Sequence, residues 1–166
     1  MTAQLLDIVT TAAILFSVSA GLLIVFGVMK IINFAHGGFL TVGGYSALLV
    51  TRLGLNPWWS IAFAFVIGFI CGVIVERLIM RPLYSRPLDA ILATWGLGII
   101  IGQLITLGFG REVQFVQSPI SGAVDFLGAS YSQYRLILVV AAIALALALA
   151  AVLNGTKLGL QTRAVI

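Results

Sequence analysis

Five stretches of this chain, residues 8–29, 31–51, 53–75, 90–110 and 136–156, contain no Asp, Glu, Lys or Arg, and each is 21 to 23 residues long. An α-helix rises about 1.5 Å per residue, so about 20 apolar residues cross the roughly 30 Å hydrocarbon core of a bilayer. Every run is therefore long enough to span. Hydrocarbon offers no partner to a backbone N–H or C=O, so runs of this kind fold as helices with their bonds satisfied internally. The expectation is an all-α, polytopic transmembrane helical bundle of about five membrane segments, forming a single transmembrane domain over residues 1–166. Composition agrees, with 61% hydrophobic residues, 8% charged residues and a mean hydropathy of +1.19. Soluble domains lie well outside that range.

The few charges act as topology signals. Nine basic residues against five acidic ones give a net charge of +4, but they are scattered over short loops and build no basic face. Nucleic acid is thus excluded as a partner, and membrane lipid is the expected surroundings. The most basic loop, ERLIMRPLYSRPLD, carries Arg77, Arg81 and Arg86 with Pro82 and Pro87. By the positive-inside rule it faces the cytoplasm, and counting crossings places Lys30, Lys157 and Arg163 on the same side. Arg52, Arg111 and Arg135 then lie outside, as does the N-terminus. The first charge is Asp7 rather than a basic residue, which argues against a cleaved leader and for a retained first helix. Cys71 is the only cysteine, so an intramolecular disulfide is excluded and a small buried hydrophobe is the plain reading.

Within this apolar chain one segment is chemically distinct. Residues 29–45, MKIINFAHGGFLTVGGY, hold Asn33, the single histidine His36, and the glycine pairs Gly37-Gly38 and Gly43-Gly44. Glycines weaken a helix and let backbones approach, while Asn33 and His36 carry polar groups that hydrocarbon cannot satisfy. Two readings stand. In one, a helix starts at the interface near Lys30, with Asn33 as its cap and His36 reaching to water. In the other, the glycines break the helix or make it re-entrant and expose its backbone to a solute. Asn33 and His36, three residues apart, would share a face of any helix running through both.

The remaining polar groups have bland readings. Thr94 bonds its own backbone, Trp95 anchors at the interface, and the mid-membrane amide of Gln103 needs a partner, whether a neighbouring helix or a ligand. The spacings Gly68–Gly72 and Gly98–Gly102 permit close helix contact, with packing inside the subunit favoured over a dimer face. Residues 111–135 read as an external loop whose periodicity assigns no element. A lone histidine without nearby Cys, Asp or Glu supports neither a metal site nor acid–base chemistry. No Ser/His/Asp set, HExxH or glycine-rich phosphate loop occurs, so no catalytic residue, metal or cofactor is assigned to this chain and it is not expected to be an enzyme. Ion-driven carriers place ionisable groups within the membrane, and the spans hold none beyond His36. If the chain moves a solute, the energy comes from another polypeptide.

The segment GVMKIINFAHGGFLTVGGY resembles the glycine-rich "INFAHG" region of the permease subunits of ATP-binding-cassette importers for branched-chain amino acids, urea and short amides. ERLIMRPL is similar to that family's Glu-Arg…Arg-Pro loop, ATWGLGIIIGQ to its next helix, and GLQTRAVI to the opening of its cytoplasmic coupling region. The resemblance covers nearly the whole chain in order. It implies a multi-pass permease of the cell inner membrane working with a second permease subunit, two ATP-binding cassette ATPase subunits that bind the ATP, and an extracytoplasmic solute-binding protein. It also implies that Asn33, His36, Gly37, Gly38, Gly43, Gly44 and Gln103 lie near the translocation path or its packing core, and that Thr162 and Arg163 open the segment meeting the ATPase. At Gly38 many relatives carry an acidic residue. Relatives also continue past the coupling region, so the chain resembles the N-terminal portion of a permease domain without its C-terminal helices. An uncharged path suits a zwitterionic amino acid or an uncharged amide, and the resemblance implies a branched-chain amino acid, urea or a short amide as the solute. The alternatives are a passive channel for a small neutral solute and a non-transporting assembly subunit.

Overall fold

A computed structural model describes residues 2–126 and 129–155. Among the described residues five α-helices follow one another: α1 (Thr2–Met29), α2 (His36–Arg52), α3 (Trp59–Val75), α4 (Pro87–Phe109) and α5 (Gln133–Gly155). A π-helical turn, Glu76–Met80, and a 3₁₀ turn, Arg81–Leu83, continue α3. Between α4 and α5 lies an antiparallel pair, β1 (Ala123–Phe126) and β2 (Ala129–Ser132), with Ala123 opposite Ser132 and Phe126 opposite Ala129. The chain is an all-α polytopic membrane protein with this small strand pair added.

Four of the expected spans form helices long and apolar enough to cross a bilayer: Ala3–Gly27, Trp59–Leu83, Pro87–Phe109 and Gln133–Asn154. The second run differs. Residues 31–35 stay outside the helix, so α2 keeps only 17 residues, or about 25 Å of rise. Part of the expected cytoplasmic loop differs too, because residues 76–83 are helical rather than irregular. Pro82 has no N–H to give the helix, and the turn before it widens, with the Arg81 N–H bonded to the Glu76 carbonyl.

Turn chemistry punctuates the helices. α2 ends in a Schellman motif: Gly54, at φ 66, donates to the Thr51 carbonyl, and Leu55 donates to that of Val50. Asn56 opens α3 by accepting from the Trp58 N–H at 3.1 Å. Pro87 starts α4 with Asp89 in its first turn, and Asp89 pairs with Arg86 at 3.3 Å. α4 stops at Gly110, whose φ of 84 suits glycine alone.

The fold divides into two compact units, Leu22–Pro119 and Met1–Gly21 with Ile120–Ile166. In the first, α2 packs against both α3 and α4. One end of this unit gathers Ile31, Met80 and Ala90 in a buried cluster. The other gathers Arg52, Phe109 and Gln114: Arg52 donates to Gln114 at 3.1 Å and lies 5.3 Å from the Phe109 ring centre. In the second unit Tyr131, 5% exposed, ties β2 to α1 by donating to the Leu6 carbonyl at 2.9 Å and meeting the Thr10 hydroxyl. Arg135 at the start of α5 pairs with Asp7. Most large apolar side chains elsewhere are exposed, among them Phe65, Phe69, Leu104 and Leu107. In a spanning bundle that surface is met by lipid tails, which are as apolar as the side chains themselves.

Candidate functional site

The distinct segment of the sequence folds into a seat against α4. Lys30, at φ 55, ends α1 in the left-handed region, its N–H still bonded to the Phe26 carbonyl at 2.8 Å. The following residues are free of helix and find their bonds locally. Asn33 Oδ1 accepts from the Ala35 N–H at 2.9 Å, and the Asn33 carbonyl accepts from the His36 N–H at 3.2 Å. A further donor, Phe34 N–H, reaches Thr94 Oγ1 at 3.2 Å, and the Thr94 hydroxyl donates to the Ile91 carbonyl at 2.9 Å. Thr94 and Ala35 are both fully buried. Non-helical backbone is tolerable at membrane depth only when protein satisfies it, and Thr94 does that for Phe34.

The close approach depends on small residues. A Cβ on Gly98 would lie 3.5 Å from the Phe34 carbonyl oxygen and 3.6 Å from the Ala35 Cα. One on Gly38 would lie 3.3 Å from Ile101. Thr94, Gly98 and Ile101 follow i, i+4, i+7 spacing, one stripe of α4. The link and the first turn of α2 are thus laid along that stripe.

A second feature lies towards the opposite end of α2. A cavity of about 320 Å³ is lined by Thr41, Gly44, Tyr45 and Leu48 of α2 and by residues 112–114 and 116 of the segment after α4. Thr41 to Leu48 again follow helical i, i+3, i+4, i+7 spacing. Tyr45 packs on Phe109 with ring centres 4.7 Å apart, and Gln114, held by Arg52, donates to the Glu112 carbonyl at 3.4 Å. The Thr41 hydroxyl donates to the Gly37 carbonyl at 2.9 Å, which leaves it an acceptor towards any ligand.

The residues singled out in the sequence separate accordingly. Asn33 shapes the turn before α2, and His36 is the first residue of that helix, half-buried. The two do not share a helix face, because the break falls at residues 30–35. Gly37, Gly38, Gly43 and Gly44 all lie inside α2, so the glycines do not open it; a glycine in a helix costs about 1 kcal/mol, less than leaving membrane backbone unbonded. Only Gly38 sits in close contact, whereas Cβ atoms at Gly37, Gly43 and Gly44 would meet nothing within 4 Å. Gln103 is exposed, about 200° around α4 from Ile101, and does not join α2. Thr162 and Arg163 lie outside the described residues. Sequence reasoning credited Thr94 with its backbone bond but missed its role as acceptor for Phe34. It also passed over Thr41, Tyr45, Leu48, Glu112 and Gln114; the helical spacing on α2 was a visible signal, whereas the loop residues meet α2 only in the fold. Among the described residues no group of three or more His, Cys, Asp or Glu could hold a metal ion.

A family model for the permease component of branched-chain amino acid transport systems matches residues 4–166. The chain is 26% identical to the high-affinity branched-chain amino acid transport system permease protein LivH of Salmonella typhimurium, over 97% of this chain and 57% of that protein. It is 26% identical to the protein of the same name from Escherichia coli, over 72% of this chain and 42% of that protein. A probable branched-chain amino acid transport permease protein LivH of Methanocaldococcus jannaschii is 30% identical, over 68% of this chain and 35% of that protein. The chain therefore covers 57%, 42% and 35% of the length of these three relatives. No solved structure matches it.

Proposed function

This chain belongs to the permease family of branched-chain amino acid transport systems, and from that premise we propose that it is a pore-forming subunit of an ATP-driven importer for branched-chain amino acids. The observation that carries this reading is α2. It packs against α3 and α4, yet Gly37 and Gly44 leave open space along one edge that also carries Thr41. This exposed edge of glycine and hydroxyl, itself without a charged side chain, offers a small polar solute a route. The seat of residues 30–35 on α4 supplies a second, rigid boundary, in which Asn33, His36 and Gly38 hold the start of α2.

Transport in this reading is alternating access, with α2 and its neighbours rocking about the solute route. The charge-free runs hold no ionisable side chain beyond His36, which points to partner subunits as the source of energy. Two ATPase subunits bind the ATP and engage cytoplasmic segments that include Thr162 and Arg163, a second permease completes the path, and a solute-binding protein delivers from outside. The chain lies in the inner membrane with its N-terminus outside.

The test is uptake of labelled leucine and labelled urea by cells carrying the complete transport operon, with this gene intact or deleted and with the ATPase genes deleted. ATP-dependent leucine uptake that disappears with this gene is the expected result. Uptake that survives loss of the ATPases would make the protein a passive channel. Preference for urea would move the solute to the amide branch.

A further inference from the structure

The cavity between α2 and residues 112–116 has a lining that chooses among solutes. We infer that it is a recognition site for the importer's solute, taking the ammonium group of an aliphatic amino acid at Glu112 and its side chain against Leu48, Val113 and Val116. The inference rests on the importer reading above and gives that reading a named, charge-selective residue.

The cavity's size, about 320 Å³, falls at the small end of ligand pockets, which run from about 300 to 1,000 Å³. Its chemistry is divided. Leu48, Val113 and Val116 provide branched aliphatic surface, and Glu112 brings the single formal charge among the described lining residues. An ammonium group carries three donors and no acceptor. Glu112 and the Thr41 hydroxyl, whose proton is already given to the Gly37 carbonyl, present acceptors and no competing cation. A urea or a simple amide needs no counter-charge, and a solute bearing only a carboxylate would be repelled.

The walls are also held in place. Arg52 is engaged by Gln114 and by the Phe109 face, and Phe109 packs on Tyr45, so the two sides of the cavity are linked through one cluster. Arg52 neutralises no lining carboxylate in this arrangement. Gly44 leaves the floor open: a Cβ there would meet nothing within 4 Å. A larger side chain at that position can enter the cavity without displacing the helix.

The experiment uses the intact importer in membrane vesicles with ATP inside, and compares the wild type with Glu112→Gln, Glu112→Asp and Gly44→Leu, each first matched for membrane level. In the wild type, leucinamide should compete with labelled leucine and 4-methylpentanoate should not. Glu112→Gln should raise the leucine KM roughly tenfold or more, with kcat changed less, and should erase the difference between the two competitors. Glu112→Asp should recover part of that loss. Gly44→Leu should raise the leucine KM more than the alanine KM, because it shortens the aliphatic space. An unchanged leucine KM in both Glu112→Gln and Gly44→Leu, with robust wild-type uptake, would overturn the site while leaving the importer intact. No ATP-dependent leucine uptake by the wild type would overturn the importer reading itself.

Discussion

α2 and α3 have the same length, 17 residues each, and pack against one another, yet they solve the bilayer problem in opposite ways. α3 is almost wholly apolar, buries none of its residues fully, and turns Phe65, Phe69 and Ile70 outward. α2 carries four glycines, two threonines, a serine and a tyrosine, and buries Ser46, Leu48 and Val50. Its polar groups are met by its own backbone, as where Ser46 donates to the Val42 carbonyl at 2.8 Å. In water the apolar helix would be the buried one. In lipid the apolar surface gains nothing by leaving hydrocarbon, so the helix with small and polar residues takes the interior position.

The largest expected effect is at the two GxxxG segments, which look alike in sequence. Gly98→Leu would drive a branched side chain into the backbone at Phe34 and Ala35 and should cost about 1–3 kcal/mol, whereas Gly68→Leu on α3, where a Cβ meets nothing within 4 Å, should change stability by less than about 0.5 kcal/mol. Thermal unfolding of the purified protein in detergent measures both. Equal losses would mean that the two helices are not differently packed.

A smaller effect is expected at Thr94. Thr94→Val keeps the shape but leaves the part-buried Phe34 N–H without its acceptor, a loss of about 1 kcal/mol that Thr94→Ser should largely avoid. The same melts decide it, and faster amide exchange at Phe34 in the valine variant would locate the damage at the link. A valine variant as stable as the serine variant would remove Thr94 from the seat.

The smallest effect belongs to the extension of α3, where the exposed Tyr84 hydroxyl donates to Glu76 Oε1 at 3.0 Å. Partial burial and, after it, the Glu76 carboxylate raise the Tyr84 hydroxyl above its ordinary value. The folded protein therefore holds the phenolic proton more tightly than the unfolded chain does. The stability this adds is present below about pH 10, the ordinary tyrosine range, and is lost as the pH rises through it. Tyr84→Phe should cost no more than about 0.5 kcal/mol at neutral pH and should flatten the alkaline limb of a stability profile. A larger loss would give this turn a structural weight comparable to the seat of α2.

Much of the architecture was legible in the chain itself. The charge-free runs located all five helices, because an uncharged run of that length has one low-energy form in hydrocarbon. The unusual chemistry of residues 29–45 marked where the membrane pattern is interrupted. Of the two readings of the break, a helix start near Lys30 with Asn33 before it lies close to the observed break at residues 30–35, whereas the four glycines drew attention to residues 37–44; what was not legible is that Thr94, some 60 residues later, supplies an acceptor there. The strand pair was hidden as well, since its residues lack a clear alternation and its ties to α1 run through Tyr131 and Leu6.

The sequence alone determined the solvent this protein folds in, the number of its helices and the permease family whose pattern it carries, since these follow from hydropathy, charge spacing and local motif. Only the tertiary structure decided which of two GxxxG segments is filled, that Gln103 faces away from α2, and that Glu112 lines one open cavity with Thr41, Gly44 and Leu48. Those facts depend on which helix faces meet. A stripe of small residues fits several neighbours equally well until backbone contacts and satisfied hydrogen bonds select one of them.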